Sequence, residues 1–244
     1  MDTISAEAWD RSEDKQREVR NSLVISYLKI RRVVGYLGMS LPFSMVLGAQ
    51  LLFHTGLQGS ISSYYYTGMR DVFVGTLWAI GFFLLSYRGY DKIDDRLGNL
   101  ACVFAVGVSL FPTAPSLQSA STLAIRIGYL HLFFAAAFFF TLMWFSLFLF
   151  TKTGSLGELT PQKIQRNRVY RTCGIILAAC IVLMGAYGLL PDRFAYPLSG
   201  YNPTFWLETV AVIAFGFSWF TKGEGILKDD LSEVSSPSLS SGTA

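Results

Sequence analysis

Few side chains in this sequence are equipped for chemistry, and they gather at the ends of apolar runs. The stretch "GSISSYYYTGMRDVFVG", residues 59–75, carries Ser60, Ser62, Ser63, three consecutive tyrosines and the pair Arg70–Asp71, directly before an apolar segment. His54 closes the apolar run before it. His131 lies in a later run with Arg126 one to two turns ahead of it, and Glu208 lies about one turn into the last run. Ionisable groups in or near hydrocarbon are costly, and they usually face a bundle interior or a water-filled cavity. Four different apolar segments supply Asp71, His54, His131 and Glu208 at similar depth, so one shared polar pocket is expected. In it Ser62, His131 and Asp71 have the types of a nucleophile, a base and an orienting carboxylate. His54, Ser60, Tyr65, Arg70, Arg126 and Glu208 are the candidate ligand-binding set. Its arginines suit an anion, and tyrosine faces suit a cation. A pairing of Asp71 with His131 is expected beneath a lid formed by residues 60–71.

The same residues also have bland roles. Tyrosines collect at membrane interfaces, and an aspartate at a helix start is favoured by the helix dipole. A metal that activates water is a further possibility for His54, His131, Asp71 and Glu208. However, the two histidines stand 77 residues apart and no C-x-x-C or H-x-x-x-H spacing occurs, so no metal is assigned and the cofactor is left unknown. Cys102, Cys173 and Cys180 all fall inside apolar runs, and no disulfide is expected.

The elements that must position these groups follow from composition. Of 244 residues, 52% are hydrophobic and only 15% charged, with 20 phenylalanines, against about 25% charged in soluble domains. This points to an integral membrane protein built as an all-α bundle. Six segments approach the roughly 20 apolar residues that a spanning helix needs: 33–54, 69–87, 97–111, 122–150, 170–190 and 204–220. Seventeen of the 20 lysines and arginines then fall on one side, and only Arg70, Arg126 and Arg193 on the other. That asymmetry predicts both termini in the cytoplasm and a multi-pass protein of the cell membrane. Residues 1–32 form a polar cytoplasmic segment, either an interfacial amphipathic helix or a solvated extension of the first helix. Residues 33–221 are the membrane domain, and the serine-rich residues 222–244 a disordered tail.

Three stretches resemble the Frag1/DRAM/Sfk1 and DUF998 group of six-helix membrane proteins: "SISSYYYTGMRD", "GNLACVFAVGVSLFPT" and "HLFFAAAFFF". The matching positions are Ile61, Ser62, Thr67, Gly68, Asn99, Gly107, His131 and Ala135. The tyrosine triplet is an insertion, and Arg70–Asp71 stands where the group has an acidic residue after a proline. The resemblance implies the six-helix fold and, from some relatives, an involvement with lipid or glycolipid-anchor remodelling or autophagy.

Three functions compete. The pocket binds a lipid headgroup or small ligand, with lipid hydrolysis or remodelling as an extension. Alternatively the protein transports a small solute, with Pro42, Gly38 and Gly48 able to break the first helix. Or it is a structural subunit whose "GYLGMSLPFSMVLG" stretch packs closely against a neighbour, as a homo-oligomer or with another membrane protein. Membrane lipids are the expected partners. Nucleic acid is excluded, because the basic residues follow topology rather than a phosphate-binding motif. No phosphate-binding glycine loop is present, and no lysine falls in a helix core where a retinal would need it.

Overall fold

A computed structural model describes residues 3–89, 91–115, 121–152 and 160–228, with side chains from residue 15 onward. It is all-helical, and no strand occurs among the described residues. Helix α1 runs Thr3–Phe53. A loop containing a 3-10 turn, Ser62–Tyr66, leads to α2, Arg70–Leu85, and α3, Lys92–Leu110. Helix α4, Thr122–Trp144, continues as a π-helical turn, Phe145–Leu149. Helices α5, Pro161–Gly188, α6, Asp192–Ser199, and α7, Pro203–Lys222, follow.

Local chemistry sets the boundaries. Asp91 caps α3 by accepting from the amides of Ile93 and Asp94. Ser121 and Thr160 cap α4 and α5 in the same way, and α5 and α7 each open with proline, whose missing N–H would have no helical partner there. Helix α1 ends where His54 turns left-handed at φ 51°. The Thr55 amide then reaches back to the Ala49 carbonyl at 2.9 Å, closing the helix end. Pro42 lies within α1 without interrupting it, so the break that a transporter would use in the first helix is not there.

Helix α1 packs against α2 and α7, α2 against α3, α3 against α4, α4 against α5, and α5 against α7. The six long helices therefore form a closed ring in which the first and last are neighbours. The α1–α7 contact is the closest. A Cβ added to Gly216 would lie 2.6 Å from both the Gly35 carbonyl oxygen and the Met39 nitrogen, so only glycine lets the two backbones meet. Near one end the ring is filled by aromatic rings. Trp219 stands 5.1 Å from Phe150 and 5.6 Å from Tyr87, centroid to centroid. Beside them, the Ser146 hydroxyl donates to that of Ser218 at 3.0 Å.

Among the described residues, four helical segments are long and apolar enough to cross a membrane: Lys15–Phe53, Thr122–Leu149, Pro161–Gly188 and Pro203–Lys222. The expected second and third spans are the weaker ones. Helix α2 has 16 residues, or about 24 Å. Helix α3 opens with Lys92, Asp94, Asp95 and Arg96. Residues 3–32 are continuous with α1 in one 51-residue helix. The expected disordered tail lies, beyond residue 228, outside the described residues.

Candidate functional site

The stretch that the sequence singles out folds over one end of the ring as a lid. Ile61, Ser62 and Tyr64 are buried, Tyr64 completely. The anchor is Glu208. Its carboxylate oxygen Oε2 accepts from the Ile61 amide at 2.6 Å and is also met by the Ser62 amide. The first amides of a helical turn have no internal partner, so a carboxylate from α7 completes the start of the 3-10 turn. The Phe205 amide donates to the Gly59 carbonyl at 3.0 Å, a second tie between the lid and α7. On the far side the Tyr66 hydroxyl donates to the Thr113 carbonyl at 2.6 Å. Ser60 Oγ lies 2.7 Å from Ser63 Oγ and accepts the Ser63 amide at 3.0 Å, so it is spent on the turn itself.

The other expected members are not brought together. His131 is buried, 6% exposed, and its Nδ1 lies 2.6 Å from the Phe111 carbonyl. A carbonyl only accepts, so Nδ1 carries the proton and the imidazole satisfies the end of α3. Asp71 is exposed at the start of α2, and no hydrogen bond or ion pair joins it to His131 among the described residues. The Ser62–His131–Asp71 arrangement is thus not assembled. Depth alone suggested the pairing, but Asp71 at the second position of α2 points away from the interior. His54 is an exposed helix terminator, and Arg126 is exposed. Arg70 stacks on the Tyr65 ring at 4.6 Å and donates to its hydroxyl at 3.1 Å. That pair belongs to the lid, with Tyr65 half-buried and Arg70 exposed.

Glu208 has a second surface. It lies at the margin of a groove of about 590 Å³ between α4, α5 and α7, whose apolar walls include Ala135, Phe139, Met184 and Leu189. On its inner side it borders a void of about 40 Å³ beneath the lid, with Ser62, Phe73 and Phe138. One carboxylate therefore separates the lid from a lateral groove. The groove could not be read from the sequence, because it is made by divergence of three helices whose facing residues are ordinary apolar ones. Helix α6 beyond it buries no side chain and exposes Phe194, Tyr196 and Leu198. Its aromatic residues between 194 and 201 were the available signal.

The opposite end of the ring is basic. Lys152 bridges Asp91 at 2.9 Å and the fully buried Asp94 at 2.5 Å. The bond from Lys152 holds the Asp91 carboxyl below its ordinary value. The bond to Asp94 holds the Lys152 ammonium above its own.

Among the described residues no group of three or more histidines, cysteines or carboxylates is placed to hold a metal. No family model matches the chain, and no curated protein or solved structure is significantly similar to it.

Proposed function

We propose that the chain is a six-span membrane protein, both termini cytoplasmic, that binds a lipid in the groove between α4, α5 and α7. The observation that carries this reading is Glu208: a carboxylate at the edge of an otherwise apolar groove. The volume is within the range of about 300–1,000 Å³ usual for ligand sites, and such sites are apolar with a few placed polar groups. A lipid tail fills the groove, and a donor on its head, a hydroxyl or an ammonium, meets Glu208. The exposed faces of the ring support immersion in lipid, with Phe43, Leu47, Phe133 and Val182 all outward.

Resemblance to the Frag1/DRAM/Sfk1 and DUF998 group belongs to the same proposal. The residues that carry it have structural work here. Ile61 and Ser62 seat the lid on Glu208, Thr67 Oγ1 bonds the Tyr64 carbonyl, a Cβ at Gly107 would overlap the Phe134 ring, and His131 closes α3.

The test is native mass spectrometry of the purified chain. An added Cβ at Gly185, on the groove wall, meets nothing within 4 Å, so Gly185→Trp fills the groove without disturbing the packing behind it. Wild type is expected to retain a lipid that Gly185→Trp loses at an unchanged Tm. Equal retention by both would remove the groove from the proposal.

A further inference from the structure

A second groove opens on the outer face of the ring where α5 meets α7. Its volume is about 510 Å³, and every residue lining it is a described one. Cys173 and Ala214 form its floor and are buried, while Val210 and Phe217 on its α7 wall are exposed. It therefore faces the surroundings of the bundle rather than the interior. Both of its helices are long and apolar enough to cross a membrane, so acyl chains surround it in an immersed bundle. It shares no residue with the groove beside Glu208.

Its polar groups all lie at one end. Arg168 lines the groove, and Thr172 lines it about one turn further along α5. Arg171 stands three positions after Arg168, so the two side chains leave the helix as neighbours, about 5–6 Å apart at Cβ. Both arginines and Thr172 are exposed, and among the described residues their side chains make no hydrogen bond or ion pair. Arg166, about 200° round the helix from Arg168, turns inward instead and reaches the Leu227 carbonyl at 3.1 Å. Arg168 and Ile176 mark the two ends of the groove on α5, about 12 Å apart along the axis. That is less than half of the roughly 30 Å hydrocarbon thickness, so a chain laid along the groove stays within one leaflet.

We infer that this groove seats an acyl chain of an anionic phospholipid, whose phosphate is held by Arg168 and Arg171, with the Thr172 hydroxyl as a further donor. Guanidinium groups pair with phosphate oxygens through two parallel hydrogen bonds. Arginine stems lie along apolar surface while their heads stay at the interface, which is where a phospholipid carries its phosphate. A zwitterionic head would bring its own cation to a site that already has two, and an anionic head does not, so charge selects the class of lipid. The lipid belongs to the leaflet at the basic end of the ring, opposite the end at which Glu208 lies. The inference shares with the Glu208 reading only that α5 and α7 cross a membrane.

The experiment uses the full chain in detergent and reads binding of dioleoylphosphatidylglycerol and dioleoylphosphatidylcholine by native mass spectrometry. Wild type is expected to take up phosphatidylglycerol in preference to phosphatidylcholine. Arg168→Gln combined with Arg171→Gln weakens that uptake by about tenfold. Lys29→Gln combined with Arg96→Gln removes the same charge from exposed positions at the same end and leaves uptake unchanged. Val210→Trp fills the groove from an exposed position on the other helix and abolishes uptake with both arginines intact. Variants on two helices guard against one of them failing to fold. Gly185→Trp, in the other groove, leaves phosphatidylglycerol uptake as it was, so this inference and the Glu208 reading fail separately. Equal uptake of the two lipids, an equal loss in the Lys29 and Arg96 control, or full uptake by Val210→Trp overturns the proposal. So does a lipid-free dimer that Val210→Trp dissociates, because a second copy would then occupy the groove.

Discussion

At the scale of single residues, two carboxylates do most of the positioning. Glu208 receives the lid's first amides, so Glu208→Ala leaves buried N–H groups without an acceptor. Such a loss costs about 1–3 kcal/mol per orphaned group. Glu208→Gln keeps a carbonyl oxygen in place and should cost less. The expected order of Tm is wild type, Gln, Ala, read with lipid removed; an alanine variant as stable as wild type would mean that Glu208 does not hold the lid. The second carboxylate is Asp94. Lys152→Met removes the ammonium that meets it in the interior, at a cost of about 1.5–3 kcal/mol for a charged hydrogen bond, measurable as a shift in the denaturant midpoint. The pH dependence of this bridge follows from two displaced values. Asp91 is held below its ordinary 3.8, so its share is complete above that value and is lost as pH falls through the lowered one. Lys152 is held above its ordinary 10.5, so its share is complete below 10.5 and is lost as pH rises through the raised one. The cost of Lys152→Met should therefore stay constant from about pH 5 to about pH 9; a slope inside that window would point to a different partner. At this scale the sequence was half legible. The cost of burying Glu208 and His131 was predictable, but their partners were not, because both are backbone groups: the Ile61 amide and the Phe111 carbonyl. Backbone acceptors and donors leave no trace in residue types.

At the scale of elements, the α1–α7 contact is the firmest statement. Gly35 and Gly216 face each other with no room for a Cβ between them. Gly216→Leu should separate the helices, expose the aromatic core around Trp219 and lower Tm steeply, with a red shift in tryptophan emission. Gly188→Leu, where an added Cβ meets nothing within 4 Å, is the matched control and should be neutral to both readings. Small residues in "GYLGMSLPFSMVLG" marked α1 as a close-packing helix, and that much was legible. Its partner was not, since pairing with α7 lies 180 residues away in the chain and no local pattern encodes it. The lid was legible as a polar, aromatic insertion; its 3-10 turn was not, because the turn is completed by a side chain from another helix.

At the scale of the whole molecule, helical class and apolar faces were evident from composition, whereas the number of crossings depends on α2 and α3, whose length and charge sit near the limit. The proposed arrangement is checked by cysteine labelling in intact cells. A cysteine at Gly200 should react with an impermeant reagent and one at Lys92 should not; the reverse pattern would invert the placement of both ends. The ring also carries a consequence for how the protein is made. Its closing contact joins the first helix to the last, and the lid's tie from Ile61 to Glu208 spans 147 residues. During synthesis the chain leaves the ribosome N-terminus first, so α1 waits with its glycine face unpaired while the helices between it and α7 are made. The lid has no anchor until α7 arrives. Arrival of α7 is thus the event that seals the bundle, and a chain stopped before Pro203 would present an open arc with a loose polar loop.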